Sequence, residues 1–246
     1  MSGRAPGMSL VFDKERATRF SYVCNACSRC CYHKAIQVGP YEVVRLARCL
    51  GITTTEFLAT YAEAGGTMLR VQPNGACIFL GREGCGVHPD RPLVCRLYPL
   101  GRMTDSEGRE WFADLPPHPE TAGLYGVTGT VGSYLESQGV APYFVFGERY
   151  AALFRRMVAL FATVERDPGE ENGKREIALE DAQGPPGLLL SPWLDVDATV
   201  AAYCGERGLA VPSDKDAVVE LHIQAIGAWL AQLEANARGP QPPLGS

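Results

Sequence analysis

Apolar residues first recur with a helical period behind Pro40, a residue suited to a first helical position: Val43, Val44, Leu46, Ala47 and Leu50 follow, and Gly51 closes the run. This spacing predicts a short amphipathic helix. Thr53-Thr-Thr-Glu56 then has the form of a capping box, opening a second helix through Phe57, Leu58 and Tyr61 that ends near Gly65-Gly66. Residues 68–71 and 76–80 read as two short strands around Pro73-Asn74-Gly75, a turn whose glycine supplies the left-handed backbone a tight hairpin needs, so Cys77 falls at a strand start. The stretch through Gly84-Cys85-Gly86 and His88-Pro-Asp-Arg-Pro92 is too rich in Gly and Pro for regular structure until a turn near Leu93. Residues 111–114 are a further strand, and residues 1–23 read as a polar lead-in.

Beyond Pro119 the pattern turns helical. Helices are predicted over residues 128–138 and 142–165, the second with Tyr150, Leu153, Phe154, Met157, Phe161 and Val164 on one stripe. Residues 166–186 form an exposed linker containing the solvated pair Glu170-Glu171. Helices over 195–207 and 214–235 follow, the latter burying Val219, Ile223, Ile226, Leu230 and Leu233. From Gly239 the Pro-rich tail is expected to be disordered.

A chain of 246 residues can bury a substantial core without cross-links, which weakens a disulfide-scaffold reading of its nine cysteines. Residues 1–10 carry one Arg and no apolar stretch of signal-peptide type, so a reducing cytoplasm is expected. No segment reads as a membrane span, and the net charge of −5 gives no bulk reason to bind nucleic acid or an anionic membrane. Locally the balance is basic: Arg29, Lys34, Arg82, Arg91, Arg96 and Arg102 lie in or beside the cysteine segments. Guanidinium groups there would stabilise an anionic thiolate centre.

Eight cysteines lie between Cys24 and Cys95, four of them in the octapeptide Cys24-Asn-Ala-Cys27-Ser-Arg-Cys30-Cys31, which has no strand or helix period and reads as a loop. Packing does not explain such density, because buried free cysteines are normally scattered singly. Two thiolates separated by two residues can turn toward one metal centre, and C-x2-C-x2-C resembles the first three ligands of a ferredoxin loop whose fourth comes from afar. The distant candidates are Cys77, Cys85 and Cys95. Adjacent Cys30 and Cys31 would diverge in an extended backbone and face two metals, or two irons of one cluster. With His88 these seven sulfurs make eight potential ligands, enough for two four-coordinate sites. Cys49 and Cys204, in helical segments among apolar residues, are expected to be buried as small apolar side chains.

Taken with Gly75-Ala-Cys77-Ile-Phe-Leu and Arg91-Pro92-Leu-Val-Cys95-Arg96-Leu-Tyr98-Pro99, the octapeptide resembles the YkgJ-type cysteine-cluster family, often called the CxxCxxCC zinc- or iron-chelating domain. The likeness covers roughly residues 20–105. It implies a metal site, iron–sulfur or zinc, with Cys24, Cys27, Cys30, Cys31, Cys77, Cys85 and Cys95 matching the family's cysteines. Where many relatives place an aromatic residue this chain has His88, so a ligand role for it is not one the family lends. A related cluster occurs in flagellin lysine N-methylases, but no glycine group here, Gly123 to Gly129 included, follows a convincing strand as a nucleotide fingerprint should.

Zinc knuckles typically come as two similar pairs, whereas the second half here is spaced Cys77-x7-Cys85-x9-Cys95, and seven thiolates carry more charge than one Zn2+ offsets. The irregular halves favour an iron–sulfur cluster, of 4Fe-4S type, in redox, cluster-handling or structural use, with Arg29, Arg91 and Arg96 as hydrogen-bond donors to its sulfurs. The alternative is a zinc-stabilised interaction module whose C-terminal helices dock a protein partner. His33, His88, His118 and His222 are too few and dispersed for a hydrolase. The expected fold is α+β: a cysteine-rich metal-bound core with short strands and two helices over residues 20–115, a mainly helical part over 116–236, and a tail over 237–246. Loops this rich in Gly, Pro and Cys bury little apolar surface alone, so folding of the first part is expected to depend on metal.

Overall fold

A computed structural model of the chain describes residues 10–63, 65–105, 107–164 and 193–237. In chain order the elements are β1 (Arg19–Val23), α1 (Pro40–Leu50), α2 (Thr54–Tyr61), β2 (Leu80–Gly81), β3 (Gly84–Cys85), α3 (Leu93–Leu97), β4 (Leu100–Thr104), β5 (Glu110–Asp114), β6 (Leu124–Thr130), α4 (Val131–Ser137), α5 (Ala141–Val164), α6 (Val196–Arg207) and α7 (Lys215–Ala237). The fold is α+β, and every strand pair is antiparallel. Two compact units interleave along the chain: Met1–Gln37 with Met68–Phe144, and Val38–Thr67 with Val145–Ser246.

In the first unit β1 pairs with β6, Tyr22 opposite Tyr125 and Val23 opposite Leu124. The polar lead-in therefore ends in a strand whose partner lies a hundred residues away. β4 and β5 form a second ribbon, with Arg102 opposite Phe112. Phe20, Leu97, Leu100, Phe112, Val131, Tyr134, Leu135, Val140 and Phe144 make one core, in which Phe20 meets Tyr134 edge-on at 5.1 Å. The helix expected from residue 128 starts later. Residues up to Thr130 pair with β1, and Thr130 then caps α4 by accepting the Ser133 N–H at 3.2 Å.

The hairpin expected over 68–71 and 76–80 forms only in part. Gly75, at φ +81°, makes the turn as expected, and Gln72 N–H to Ala76 O, Ile78 N–H to Arg70 O and the Val71–Cys77 bridge tie the flanks together without building regular strands. The upstream chain engages part of the same backbone, and Leu69 N–H donates to Ile36 O. Cys77 thus sits in a loop, not at a strand start.

In the second unit α1 begins and ends where the pattern placed it, and α2 begins at its capping box but stops at Tyr61, short of Gly65-Gly66. Glu42 reaches back to the Gly39 N–H, Thr53 and Glu56 complete the capping box, and Gly51, at φ +69°, terminates α1. Val43, Val44 and Leu46 are fully buried, each contributing about 1.5–3 kcal/mol. Helix α7 lies against α1 and α6, and α2 lies against α6. On α7 Val219, Ile226 and Leu230 are buried while Ile223 and Leu233 are only partly covered; His222, on the same helix, is fully buried with its Nδ1 2.8 Å from the Tyr150 hydroxyl. Of the α5 stripe, Tyr150, Leu153 and Met157 are buried, whereas Phe154 is exposed because it points past the packed face. Cys204 is buried as expected; Cys49 is exposed, since α1 buries residues 43, 44, 46 and 47 and turns position 49 outward. The expected linker over 166–186, the tail from Gly239 and the side chains of Phe161 and Val164 lie outside the described residues. No helix among the described residues is long and apolar enough to cross a membrane.

Candidate metal centre

Three residues in and beside the octapeptide adopt left-handed backbone without being glycine: Ala26 (φ 52°), Ser28 (φ 60°) and His33 (φ 54°). Such conformations are unfavourable for L-residues and persist only where surrounding structure imposes them. Their effect is to interrupt extended geometry. Ser28 leads into a single 3-10 turn, Arg29–Cys31, closed by Cys31 N–H donating to Ser28 O at 3.0 Å. The expectation that Cys30 and Cys31 diverge assumed an extended backbone, and the turn removes that premise. The hydrogen bond between the two thiols pushes Cys31 up and holds the Cys30 thiol down to about 7, aided by the Cys30 N–H and by Lys34.

Backbone pairing joins this loop to the second cysteine stretch. His33 N–H donates to Gly75 O and Cys77 N–H donates to Cys31 O, each at 2.8 Å, with Tyr32 and Ala76 bridged between them. The His33 ring lies over Gly75, where a Cβ would come within 2.5 Å of it, so only glycine fits both the turn and this contact. Cys85 is carried opposite Leu80 in the β2–β3 hairpin, and Cys95 rides on α3.

The sulfurs sense one another. Burial pushes the Cys95 thiol up to about 12, reinforced by Cys77, Cys85 and Cys30. Cys77 is raised by burial, with Cys85 adding to it. Cys31 is raised further by Cys95 and Cys77. Cys27 is lowered by backbone N–H groups, first that of Ala122, which lies 3.4 Å from its sulfur, then that of Arg29; Cys30 opposes the shift. Thus Cys27, Cys30, Cys31, Cys77, Cys85 and Cys95 form one electrostatically connected set drawn from both stretches. Cys24 is exposed and makes itself felt at Tyr22 and Tyr134 instead. All nine cysteines are free thiols. As the side chains stand, no three of the described Cys, His, Asp and Glu residues come close enough to hold a single ion. The donor chemistry nevertheless fits a thiophilic metal: soft sulfur ligands from two stretches whose mutual repulsion a cation would reverse.

The donors of the arginines meet other groups, while the Arg91 charge also opposes the rise of the Cys95 thiol. Arg96 is 8% exposed, and its guanidinium donates to Arg91 O (3.1 Å), Gln138 O (2.7 Å) and Pro89 O while lying over the Tyr143 ring. Arg91 donates to His88 O at 2.9 Å and to Gln138 Oε1 at 2.6 Å. Arg29 pairs with Glu120 at the surface. Each binds a carbonyl or carboxylate, so these residues fix the loops carrying the cysteines. His88 faces Arg91, whose Nη1 is 3.3 Å from its Nδ1; burial, then Arg91 and Arg96, lower its pKa. Arg102 pairs with Glu110 across β4 and β5.

Sequence reasoning missed three supports. Gln72 donates to Cys77 O and Leu80 O, each at 2.9 Å, fixing the loop that carries Cys77. The Ala122 N–H reaches Cys27, and the phenols of Tyr22 and Tyr134 lie within electrostatic reach of Cys24 and Cys30. No pattern flags them, because each acts through a contact distant in sequence or through the backbone. No curated protein and no solved structure matches the chain. The two cysteine stretches do lie within a recognised segment: residues 23–114 match the family model CxxCxxCC, described as "Putative zinc- or iron-chelating domain".

Proposed function

We propose that the chain binds metal through the thiolates of Cys24, Cys27, Cys30, Cys31, Cys77, Cys85 and Cys95, holding an iron–sulfur cluster of 4Fe-4S type for redox, cluster-handling or structural use. The observation that carries the reading is the connected set of free thiols from two chain segments, zipped together by the Cys77 N–H to Cys31 O bond. The family match of residues 23–114 supports metal chelation in the same terms.

Within this reading the chain's residues have distinct tasks. Cys30 is held low and Cys31 is raised, so metal binding at both sulfurs would release protons. Arg96 and Gln72 hold the backbones of the Cys95 and Cys77 segments. When bound, a cluster supplies one-electron redox capacity and spreads the thiolate charge over several irons.

Anaerobic purification followed by an absorption spectrum and counts of iron, zinc and acid-labile sulfide tests the assignment. A brown protein with iron and sulfide in equal amounts is the expected result. A colourless protein with about one or two zincs per chain overturns the cluster and leaves the zinc-stabilised interaction module. A protein with neither metal overturns the metal reading.

A further inference from the structure

Where the two cysteine stretches are zipped together, a cavity of about 340 Å³ opens to solvent, with Ser28, Tyr32, Gln72, Asn74, Ala76 and Arg82 in its lining. It has the size of a small-molecule site, whose usual range is about 300–1,000 Å³. Two of its lining residues, Tyr32 and Ala76, are bridged to each other, and the Cys31–Cys77 backbone bond lies one residue further on.

The polar groups around the cavity are mostly donors. The Asn74 Oδ1 already accepts from Ala76 N–H at 3.0 Å, which leaves its two amide N–H groups. The Tyr32 hydroxyl meets no hydrogen-bond partner among the described residues, and Arg82, exposed in the turn between β2 and β3, has no ion pair or hydrogen bond among them. Gln72 spends its amide N–H groups on Cys77 O and Leu80 O, so its remaining Oε1 is the acceptor here. The Ser28 hydroxyl already donates to Ala26 O at 3.4 Å, so the lining offers a guanidinium fork, an amide N–H pair and a phenol. The ligand complementary to such a set is rich in acceptors and carries negative charge, since the Arg fork matches the paired oxygens of a carboxylate or phosphate.

We propose that this cavity is a binding site for a small oxyanion, a di- or tricarboxylate or a phosphate, held by Arg82 with Asn74 and Tyr32. The site is formed by protein donors beside the Cys31–Cys77 junction. It requires no metal, so it goes beyond the assignment of the cysteines and stands or falls separately.

Titration of the full chain, as purified, with tricarballylate and separately with inorganic phosphate tests it, read by calorimetry and by backbone amide shifts. Tricarballylate is chosen because it carries three carboxylates and lacks the hydroxyl that strengthens metal chelation by citrate. Saturable binding of either probe, with shifts at Asn74 and Ala76, is expected, and whichever probe binds identifies the source of the oxyanion. Arg82→Gln should weaken it at least about tenfold and Tyr32→Phe by a smaller factor. Arg155→Gln, an exposed arginine elsewhere, should leave it unchanged. Circular dichroism melts of the variants verify folding, and metal counts before and after titration track the cysteine centre. Absence of saturable binding, binding unaffected by Arg82→Gln in a folded protein, equal loss in Arg155→Gln, or heat that accompanies loss of metal would each overturn the proposal. Unchanged oxyanion binding in a protein that holds no metal would leave it intact while removing the metal assignment.

Discussion

Thr54 and Asp195 stand 141 residues apart and share a buried hydrogen bond of 2.8 Å from Thr54 Oγ1 to Asp195 Oδ1. The same hydroxyl oxygen accepts the Asp197 N–H at 2.8 Å, and Asp197 Oδ2 in turn accepts the Thr54 N–H at 2.8 Å. Two helix N-termini, those of α2 and α6, thereby satisfy each other's free backbone donors. Their polar caps serve as tertiary glue between segments that neither helix alone could orient.

Thr54→Val keeps the shape of the side chain and removes the hydroxyl, leaving the Asp197 N–H and an Asp195 oxygen without that partner. The expected cost is about 1–3 kcal/mol, read as a lower urea midpoint at unchanged slope. Metal content should not change.

Asp197 makes this stability depend on pH. Burial alone would raise its carboxyl, but the Arg48 guanidinium and the Thr54 N–H outweigh burial and hold it below its ordinary value. A carboxyl depressed in the folded state contributes stability fully above its unfolded pKa of about 3.9 and loses it as pH falls toward the folded value. Asp197→Asn should therefore lower the urea midpoint at pH 6, by the equivalent of about 1–2 kcal/mol. That difference from wild type should shrink as pH drops below the ordinary carboxylate range. A difference independent of pH would remove Asp197 from this role.

Among the cysteines the expected split is sharp. Cys27→Ser and Cys95→Ser should weaken metal binding by more than the roughly 10–100-fold that loss of an outer partner of a ligand costs. Soluble yield should fall with them. Cys204→Ser, in a buried apolar position, and Cys49→Ser, on the exposed side of α1, should keep their metal. Elemental analysis of each purified variant decides it, and full metal retention in Cys27→Ser would take that sulfur out of the ligand set.

Arg96→Ala should be the most damaging arginine substitution in the first unit. Its guanidinium satisfies carbonyls of Pro89, Arg91 and Gln138, and Tyr143 donates to Arg91 O from the other side at 3.1 Å. Truncation leaves three carbonyls without this partner, those of Arg91 and Gln138 partly covered, at about 1–3 kcal/mol. Arg96→Lys should rescue little, because one ammonium cannot span the three positions of the fork. Denaturation midpoints of the two variants give the comparison, with Arg29→Ala, a surface pair, expected within about 0.5 kcal/mol of wild type.

Several features were legible in the chain alone because their causes are local. Pro40, Gly51, the Thr53–Glu56 capping box and the turn at Gly75 act over four or five residues, and the structure keeps all of them. The apolar period likewise fixed the helices near residues 142–165, 195–207 and 214–235. Cysteine spacing pointed to thiolate metal chemistry for a similar reason, since the donor type itself dictates what can be bound.

Tertiary structure decided whatever depends on a distant partner. Arg19–Val23 has no strand signature strong enough to stand out and becomes a strand because Leu124–Thr130 supplies its hydrogen bonds. Residues 68–80 alternate like a hairpin, and their pairing stays short because Ile36 and Cys31 engage part of the same backbone. Its apolar helical surroundings suggested burial for Cys49, and only the packed face of α1 turned it outward. Arg29, Arg91 and Arg96 lie beside cysteines in sequence, but their donors meet carbonyls and a carboxylate that the folded chain brings to them. Local sequence limits the conformations and the chemistry available to each segment, while pairing of buried polar groups, which must all be satisfied at once, selects among them.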